Sequence, residues 1–173
     1  MRLFAIGDLH LSGNPPKKPM EVFGPRWINH WQRIREDWLS RVHEDDVVLI
    51  AGDTSWAMHL KEAQEDLDEI RKLPGTKYII RGNHDYWWES AGKLNRLDEG
   101  KGMHYLYGST VTLDEGRIAV CGTHGWVCPG DIHYHEEKDA KPYRRELLRV
   151  ERCLQEAAAL NCQHTILLLH YPP

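Results

Sequence analysis

Side chains that can bind a metal ion or carry a proton follow four short apolar runs of the sequence. The apolar runs cover residues 3–6, 47–51, 78–80 and 166–169. The polar side chains that follow them are Asp8, His10, Asp53, Asn83, His84, Asp85 and His170. Such runs are typical of buried strands, and the carboxyl ends of strands in an open α/β sheet face one crevice. We therefore expect these side chains to converge.

The residue types favour a transition-metal site. Asp8 and His10 lie two residues apart, so an extended segment would point both side chains the same way. A carboxylate and a neutral imidazole suit zinc, manganese or iron better than calcium. Asp53, on a separate strand, is placed to give one oxygen to each of two ions, and Asn83 offers a neutral carbonyl oxygen to the second.

A proton-transfer role is expected for His84, which would point away from the metal toward a leaving group. Asp85 is predicted to orient the His84 imidazole, as carboxylates often do for working histidines. Taken singly, each residue has a simpler explanation, because aspartate and asparagine are common turn formers and helix caps. Their combined order, each abutting a predicted strand, is hard to produce by fold requirements alone.

Helical patterns separate the predicted strands, which indicates an α/β fold with a mixed sheet. Trp27, Trp31, Ile34 and Trp38 form one apolar stripe of a first helix over residues 27–42. A second helix is expected after a cap at Thr54 or Ser55 and before residues 74–75, a third over about 86–100 and a fourth over about 143–160. Residues 105–127 favour strands joined by a turn at 114–116, and residues 12–25 and 128–142 are expected to be loops.

The composition is that of one ordinary globular domain, which we expect to span residues 1–173. The chain has 173 residues, 41% of them hydrophobic, and a formal net charge of −4, which disfavours nucleic acid as a partner. No apolar stretch is long enough for a membrane span. We therefore expect a cytoplasmic location and no membrane partner. The four cysteines form no CxxC pair, which fits reduced thiols.

The motifs resemble those of the calcineurin-like metallophosphoesterase superfamily, in particular a branch of predicted bacterial phosphohydrolases. The matching elements are Asp8-Leu9-His10, Gly52-Asp53, Gly82-Asn83-His84-Asp85 and His170. The family has an α/β sandwich of two mixed β-sheets flanked by helices, and the match runs from residue 8 to residue 170.

The resemblance implies a dinuclear site with two divalent ions, Mn, Fe or Zn. Asp8 and His10 would bind the first ion, Asp53 would bridge both, and Asn83 and His170 would bind the second. His84 and Asp85 would be the catalytic pair. The implied reaction is hydrolysis of a phosphomonoester or phosphodiester in a small phosphorylated substrate by a metal-bridging hydroxide.

The family's final GHxH motif has no counterpart after His170, so the last strands and the last metal-ligand motif are expected to be missing. One alternative is therefore an impaired member acting as a metal-binding or scaffold domain. A nuclease is a separate, narrower alternative. His133 and His135 form a similar pair that we interpret as a surface pair. His124 either lines the crevice or is a turn residue, and the oligomeric state is open.

Aromatic residues next to the motifs allow two interpretations. Trp56, Tyr86, Trp87 and Trp88 would either wall a substrate pocket or anchor the following helices to the sheet, and we expect the second for at least half of them. Lys17 and Lys18, in the loop after the first motif, would either attract a phosphate or belong to a solvated turn.

Overall fold

The computed structural model, which describes residues 1–173, contains seven strands in two sheets. The chain divides into two compact units, Met1–Tyr105 and Leu106–Pro173. The α/β class and the presence of two sheets with helices are therefore confirmed. A single domain over residues 1–173 stays a prediction.

The first sheet has the order β1-β2-β3-β4. Its strands are β1 (Leu3–Ile6), β2 (Val47–Ile50), β3 (Thr76–Ile80) and β4 (Met103–Leu106). Strands β1, β2 and β3 pair in parallel, with Ile6 opposite Ile50 and Ile50 opposite Ile79. Three strands therefore end at the same edge of the sheet, and the motif residues follow them there.

Three α-helices belong to the first unit, and their starts differ from the prediction. They are α1 (His30–Arg41), α2 (Leu60–Arg71) and α3 (Ala91–Leu97). Two short 3-10 helices, Met20–Phe23 and Pro25–Trp27, precede α1. The predicted cap of α2 at Thr54 or Ser55 is wrong, because both residues lie in the buried loop after β2. Helix α3 does have a side-chain cap, because the Ser90 side chain accepts a hydrogen bond from Lys93 N.

The second unit contains a mixed sheet of order β5-β6-β7 and one long helix. β5 (Ser109–Leu113) pairs with β6 (Ile118–Thr123) antiparallel through the predicted turn, and β6 pairs with β7 (His164–Leu169) in parallel. Helix α4 (Glu136–Ala159) begins seven residues before the predicted start at 143 and contains Pro142. Pro142 removes one backbone hydrogen bond in the second turn, but it does not prevent the helix from beginning at Glu136. Three acidic residues in the first turn interact favourably with the helix dipole.

The core of the first unit is aliphatic. Leu67 and Ile70 of α2 and Ile50, Ile79 and Ile80 of the sheet are fully buried. Of the predicted tryptophan stripe, only Trp38 is buried, and Trp27, Trp31 and Ile34 are half-buried. All four cysteines are free, as predicted, and no helix of the structure has the length and apolar character needed to cross a membrane.

A buried carboxylate holds the start of β1 in place. Asp46 accepts hydrogen bonds from Arg2 N at 2.7 Å, the Arg2 guanidinium at 2.7 Å and His43 N at 2.9 Å. The hydrogen bond from Arg2 is the largest cause of an Asp46 pKa that lies well below its usual range. This ion pair fixes β1 against β2 at the end of the sheet remote from the motifs.

Candidate metal centre

The loops that follow β1 and β2 remain hydrogen-bonded to each other beyond the sheet. Asp8 N donates to Gly52 O at 3.1 Å, His10 N to Asp53 O at 2.9 Å and Leu11 N to Thr54 O at 3.0 Å. Backbone hydrogen bonds therefore set the positions of the first two motifs relative to each other.

Three predicted ligands meet at this edge. His10 Nε2 lies 3.4 Å from Asp8 Oδ1 and 3.6 Å from Asp53 Oδ2, and all three ligand atoms are within 4.8 Å of one another. His10 and Asp53 are buried, whereas 58% of the Asp8 side chain is exposed. The centre is thus open to solvent on the Asp8 side.

The donor set fits a divalent transition metal. Two ligand atoms about 2.1 Å from one ion at tetrahedral angles are roughly 3.4 Å apart, which is close to both measured separations. The distances are long for hydrogen bonds and are compatible with one ion bound between the ligand atoms. One imidazole with two carboxylates also matches the preference of zinc, manganese or iron.

The three predicted ligands adopt left-handed backbone conformations. The φ angles of Asp8, His10 and Asp53 are 57°, 45° and 52°. The prediction that an extended segment aligns Asp8 with His10 is therefore wrong, although the two side chains do meet. Such conformations in non-glycine residues cost about 1 kcal/mol or more each and cluster at functional sites.

Two glycines allow the β2 and β3 loops to approach closely. A Cβ on Gly82 would lie 2.1 Å from both Asp53 N and Asp53 Oδ1, and a Cβ on Gly52 would lie 2.6 Å from Gly82 N. These two positions therefore require glycine. At Gly7 a Cβ would meet its nearest neighbour, Ala51, at an ordinary 3.4 Å.

Asp53 also binds the third motif. His84 N donates to Asp53 Oδ1 at 2.8 Å, so one carboxylate oxygen faces His10 and the other holds the loop that carries Asn83 and His84. The His84 ring lies 5.8 Å from the His10 ring, and its Nδ1 is buried without a hydrogen bond. The structure therefore brings Asp8, His10, Asp53 and His84 together, with half-buried Asn83 in the loop that Asp53 holds.

Asp85 has a different contact from the predicted one. Its carboxylate accepts hydrogen bonds from Thr54 N at 2.8 Å, Ser55 N at 3.2 Å, Gly82 N at 2.8 Å and Trp87 Nε1 at 2.9 Å, and it makes none with the His84 imidazole. Complete burial raises its pKa, which the backbone donors oppose. Asp85 thus joins the second and third motifs, and the predicted orientation of His84 by its carboxylate is corrected.

The neighbouring aromatic residues divide into two groups. Trp87 and Trp88 are buried and lie edge-on to Tyr105, so they anchor the loop to the core. Trp56 instead stacks on His10, with ring centroids 4.8 Å apart, and Tyr86 is 53% exposed. The expectation that at least half are anchors agrees with this arrangement.

In the second unit, two histidines lie at the ends of adjacent parallel strands. Thr123 of β6 is opposite Leu169 of β7, so His124 and His170 directly follow paired residues, and their rings are 5.8 Å apart at an interplanar angle of 15°. The backbone N–H of His170 donates to His124 O at 3.2 Å. His124 therefore lies next to the predicted ligand His170. The sequence alone did not decide whether His124 lines the crevice or is a turn residue.

Other candidate groups are less suited to a metal. His133 and His135 are exposed, as expected for a surface pair. The ligand atoms of His43, Asp45 and Asp46 lie within 4.8 Å of one another, but Asp46 is already occupied by Arg2. The combination of Asp8, His10 and Asp53 is instead the cluster that lies at the strand ends, where Asp53 also holds the third motif.

The family model for calcineurin-like phosphoesterases matches residues 1–173, so the chain belongs to this family. No curated protein matches the chain. Among solved structures it is similar to a protein of unknown function, AQ665 from Aquifex aeolicus. That similarity has 18% sequence identity and a TM-score of 0.48, and covers 99% of this chain and 81% of the other.

Proposed function

We propose that the protein is a metal-dependent phosphoesterase that hydrolyses a phosphomonoester or phosphodiester in a small phosphorylated substrate. The observation that carries the proposal is the cluster of Asp8, His10 and Asp53, with ligand atoms within 4.8 Å of one another, next to the loop of His84. Membership of the phosphoesterase family supports the same reaction class.

Asp8, His10 and Asp53 would hold a first divalent ion, and Asp53, Asn83 and His170 a second, with Mn, Fe or Zn as the metals. When bound, the ions would lower the pKa of an attacking water and stabilise charge on the phosphoryl oxygens. Asp53 is suited to the shared position because it comes from the middle of the three parallel strand ends. The half-exposed Asp8 leaves a side from which a phosphate can approach.

His84 would protonate the leaving group as a general acid. Its Nδ1 is buried, which leaves Nε2 as the nitrogen that can hold and transfer the proton. The backbone hydrogen bond from His84 N to Asp53 fixes this residue beside the metal cluster. Asp85 would act through the loop backbone as a positioning residue.

The test is turnover of p-nitrophenyl phosphate and bis(p-nitrophenyl) phosphate in the presence of Mn²⁺. Asp53→Asn removes charge from the shared ligand and is expected to lower kcat/KM at least about 100-fold. Asp45→Asn is the control, because Asp45 is 74% exposed and belongs to the other acidic cluster. Equal turnover by the two variants, or no metal-dependent turnover by the wild type, would contradict the proposal and leave a binding or scaffold role.

A further inference from the structure

The segment that follows the first motif is an ordered loop. Ser12 Oγ donates to Lys18 O and accepts from Lys18 N, both at 3.1 Å, so the two ends of the turn are joined. Gly13 N donates to Asp66 Oδ1 of α2 at 2.7 Å. The loop is therefore fixed to the first unit, unlike a freely solvated turn, and it presents defined side chains beside the metal centre.

Trp56 links this loop to the metal centre. Its ring lies 4.8 Å from the His10 ring and 4.4 Å from the His84 ring, centroid to centroid. Its Nε1 donates to the sulfur of Met20, a buried residue of the loop, at 3.2 Å. Trp56 N also donates to Leu11 O at 2.8 Å. One indole ring thus contacts both a predicted metal ligand and the predicted general acid.

Trp56 is also a wall of a cavity of about 330 Å³. The other residues that line the cavity are Lys18, Pro19, Val22 and Phe23. Val22 is 74% exposed and Phe23 66% exposed, which leaves a large apolar surface in contact with water. The Lys18 ammonium lies 5.3 Å from the centre of the Trp56 ring and donates a hydrogen bond to Trp56 O at 3.4 Å.

We propose that this cavity, called here the Trp56 pocket, binds the apolar organic group of the phosphoester substrate. The inference rests on the proposed function, because it requires the phosphoryl group to be held at the metal centre. Trp56 is common to both places, because it lines the pocket and its ring stacks on His10. An aromatic ring or an acyl chain fits walls made by tryptophan, phenylalanine, valine and proline.

The substrate class is therefore an amphipathic phosphoester, with an anionic head at the metal centre and an apolar group in the Trp56 pocket. Burial of the group removes apolar surface of both partners from water, including the exposed faces of Val22 and Phe23. A phosphoester with a small polar alcohol leaves the faces of Val22 and Phe23 exposed. It therefore gains no binding free energy from the burial of apolar surface.

Binding of two phosphonates tests the inference without relying on turnover. Ethylphosphonate and 3-phenylpropylphosphonate share the anionic group, cannot be hydrolysed and differ in apolar length. With the Mn²⁺-loaded protein we expect the Kd of the phenylpropyl compound, measured by calorimetry, to be at least about tenfold lower. Phe23→Ser is expected to reduce the ratio of the two Kd values to about threefold or less.

Leu148→Ser is the matched control, since Leu148 is also 66% exposed but lies on α4, and it is expected to keep the wild-type ratio. Equal Kd values for the two phosphonates, or a ratio unchanged by Phe23→Ser, would overturn the pocket assignment while leaving the metal centre intact. Failure of both phosphonates to bind would also overturn the pocket assignment. In that case, the turnover assay with nitrophenyl esters shows whether the proposed phosphoesterase function fails as well.

Discussion

Asp53 connects the two chemical parts of the candidate centre. One of its oxygens lies 3.6 Å from His10 Nε2 and the other accepts the backbone hydrogen bond from His84. A left-handed backbone angle of 52° places the carboxylate there, with Gly82 directly against it. A single residue therefore connects the predicted ligand cluster to the predicted general acid.

His84 is predicted to matter most for substrates whose leaving group needs a proton. We expect His84→Ala to lower kcat at least about 100-fold for an alkyl phosphate but less than about tenfold for a nitrophenyl ester, whose phenolate leaves without protonation. Steady-state kinetics of the metal-loaded variant on both esters measures the difference. A loss of equal size for the two leaving groups would show that His84 acts as a ligand or positioning residue.

Residue types predicted which side chains form the candidate metal cluster, but the contacts of Asp85 corrected its predicted role. The order of Asp8, His10, Asp53 and His84 along the chain was sufficient to predict that they meet. The position of Asp85 could not be read in this way, because a carboxylate beside a histidine in sequence is free to turn toward backbone N–H groups. Those donors belong to Thr54, Ser55 and Gly82, on two separate loops, and only the folded chain brings them together.

At the scale of elements, the loops after β2 and β3 depend on the absence of two Cβ atoms. We predict that Gly82→Ala lowers the free energy of unfolding by about 3 kcal/mol, because the new methyl group would overlap Asp53 N and Oδ1. Gly92→Ala in α3 is the control, since its Cβ would meet only Arg96, at 3.7 Å. Urea unfolding measures both variants, and similar stability of the two would contradict the close packing of the loops.

The sequence predicts strands better than helix starts in this chain. Strand β1 matches the predicted residues 3–6, and β2, β3 and β7 overlap their predicted apolar runs. Strands β5 and β6 lie within residues 105–127, where strands joined by a turn were predicted. The starts of α2 and α4 were wrong because local rules for caps and proline compete with tertiary contacts. Thr54 and Ser55 donate their backbone N–H groups to Asp85, which keeps them out of the helix.

At the scale of the whole molecule, the predicted ligands are distributed over two compact units. Asp8, His10, Asp53 and Asn83 belong to Met1–Tyr105, and His170 belongs to Leu106–Pro173. The family match spans both units, which supports the proposal that they contribute to one function. The position of His170 relative to the other four ligands stays a prediction, as does the binding of a second ion.

Elemental analysis of the purified protein, after loading with Mn²⁺ and desalting, measures whether the cluster binds metal. We expect two ions per wild-type chain and per Asp45→Asn chain, one for His170→Ala and none retained by Asp53→Asn, because Asp53 is proposed to bind both ions. If the wild-type and Asp53→Asn proteins retained the same number of ions, the cluster of Asp8, His10 and Asp53 would not be a metal centre.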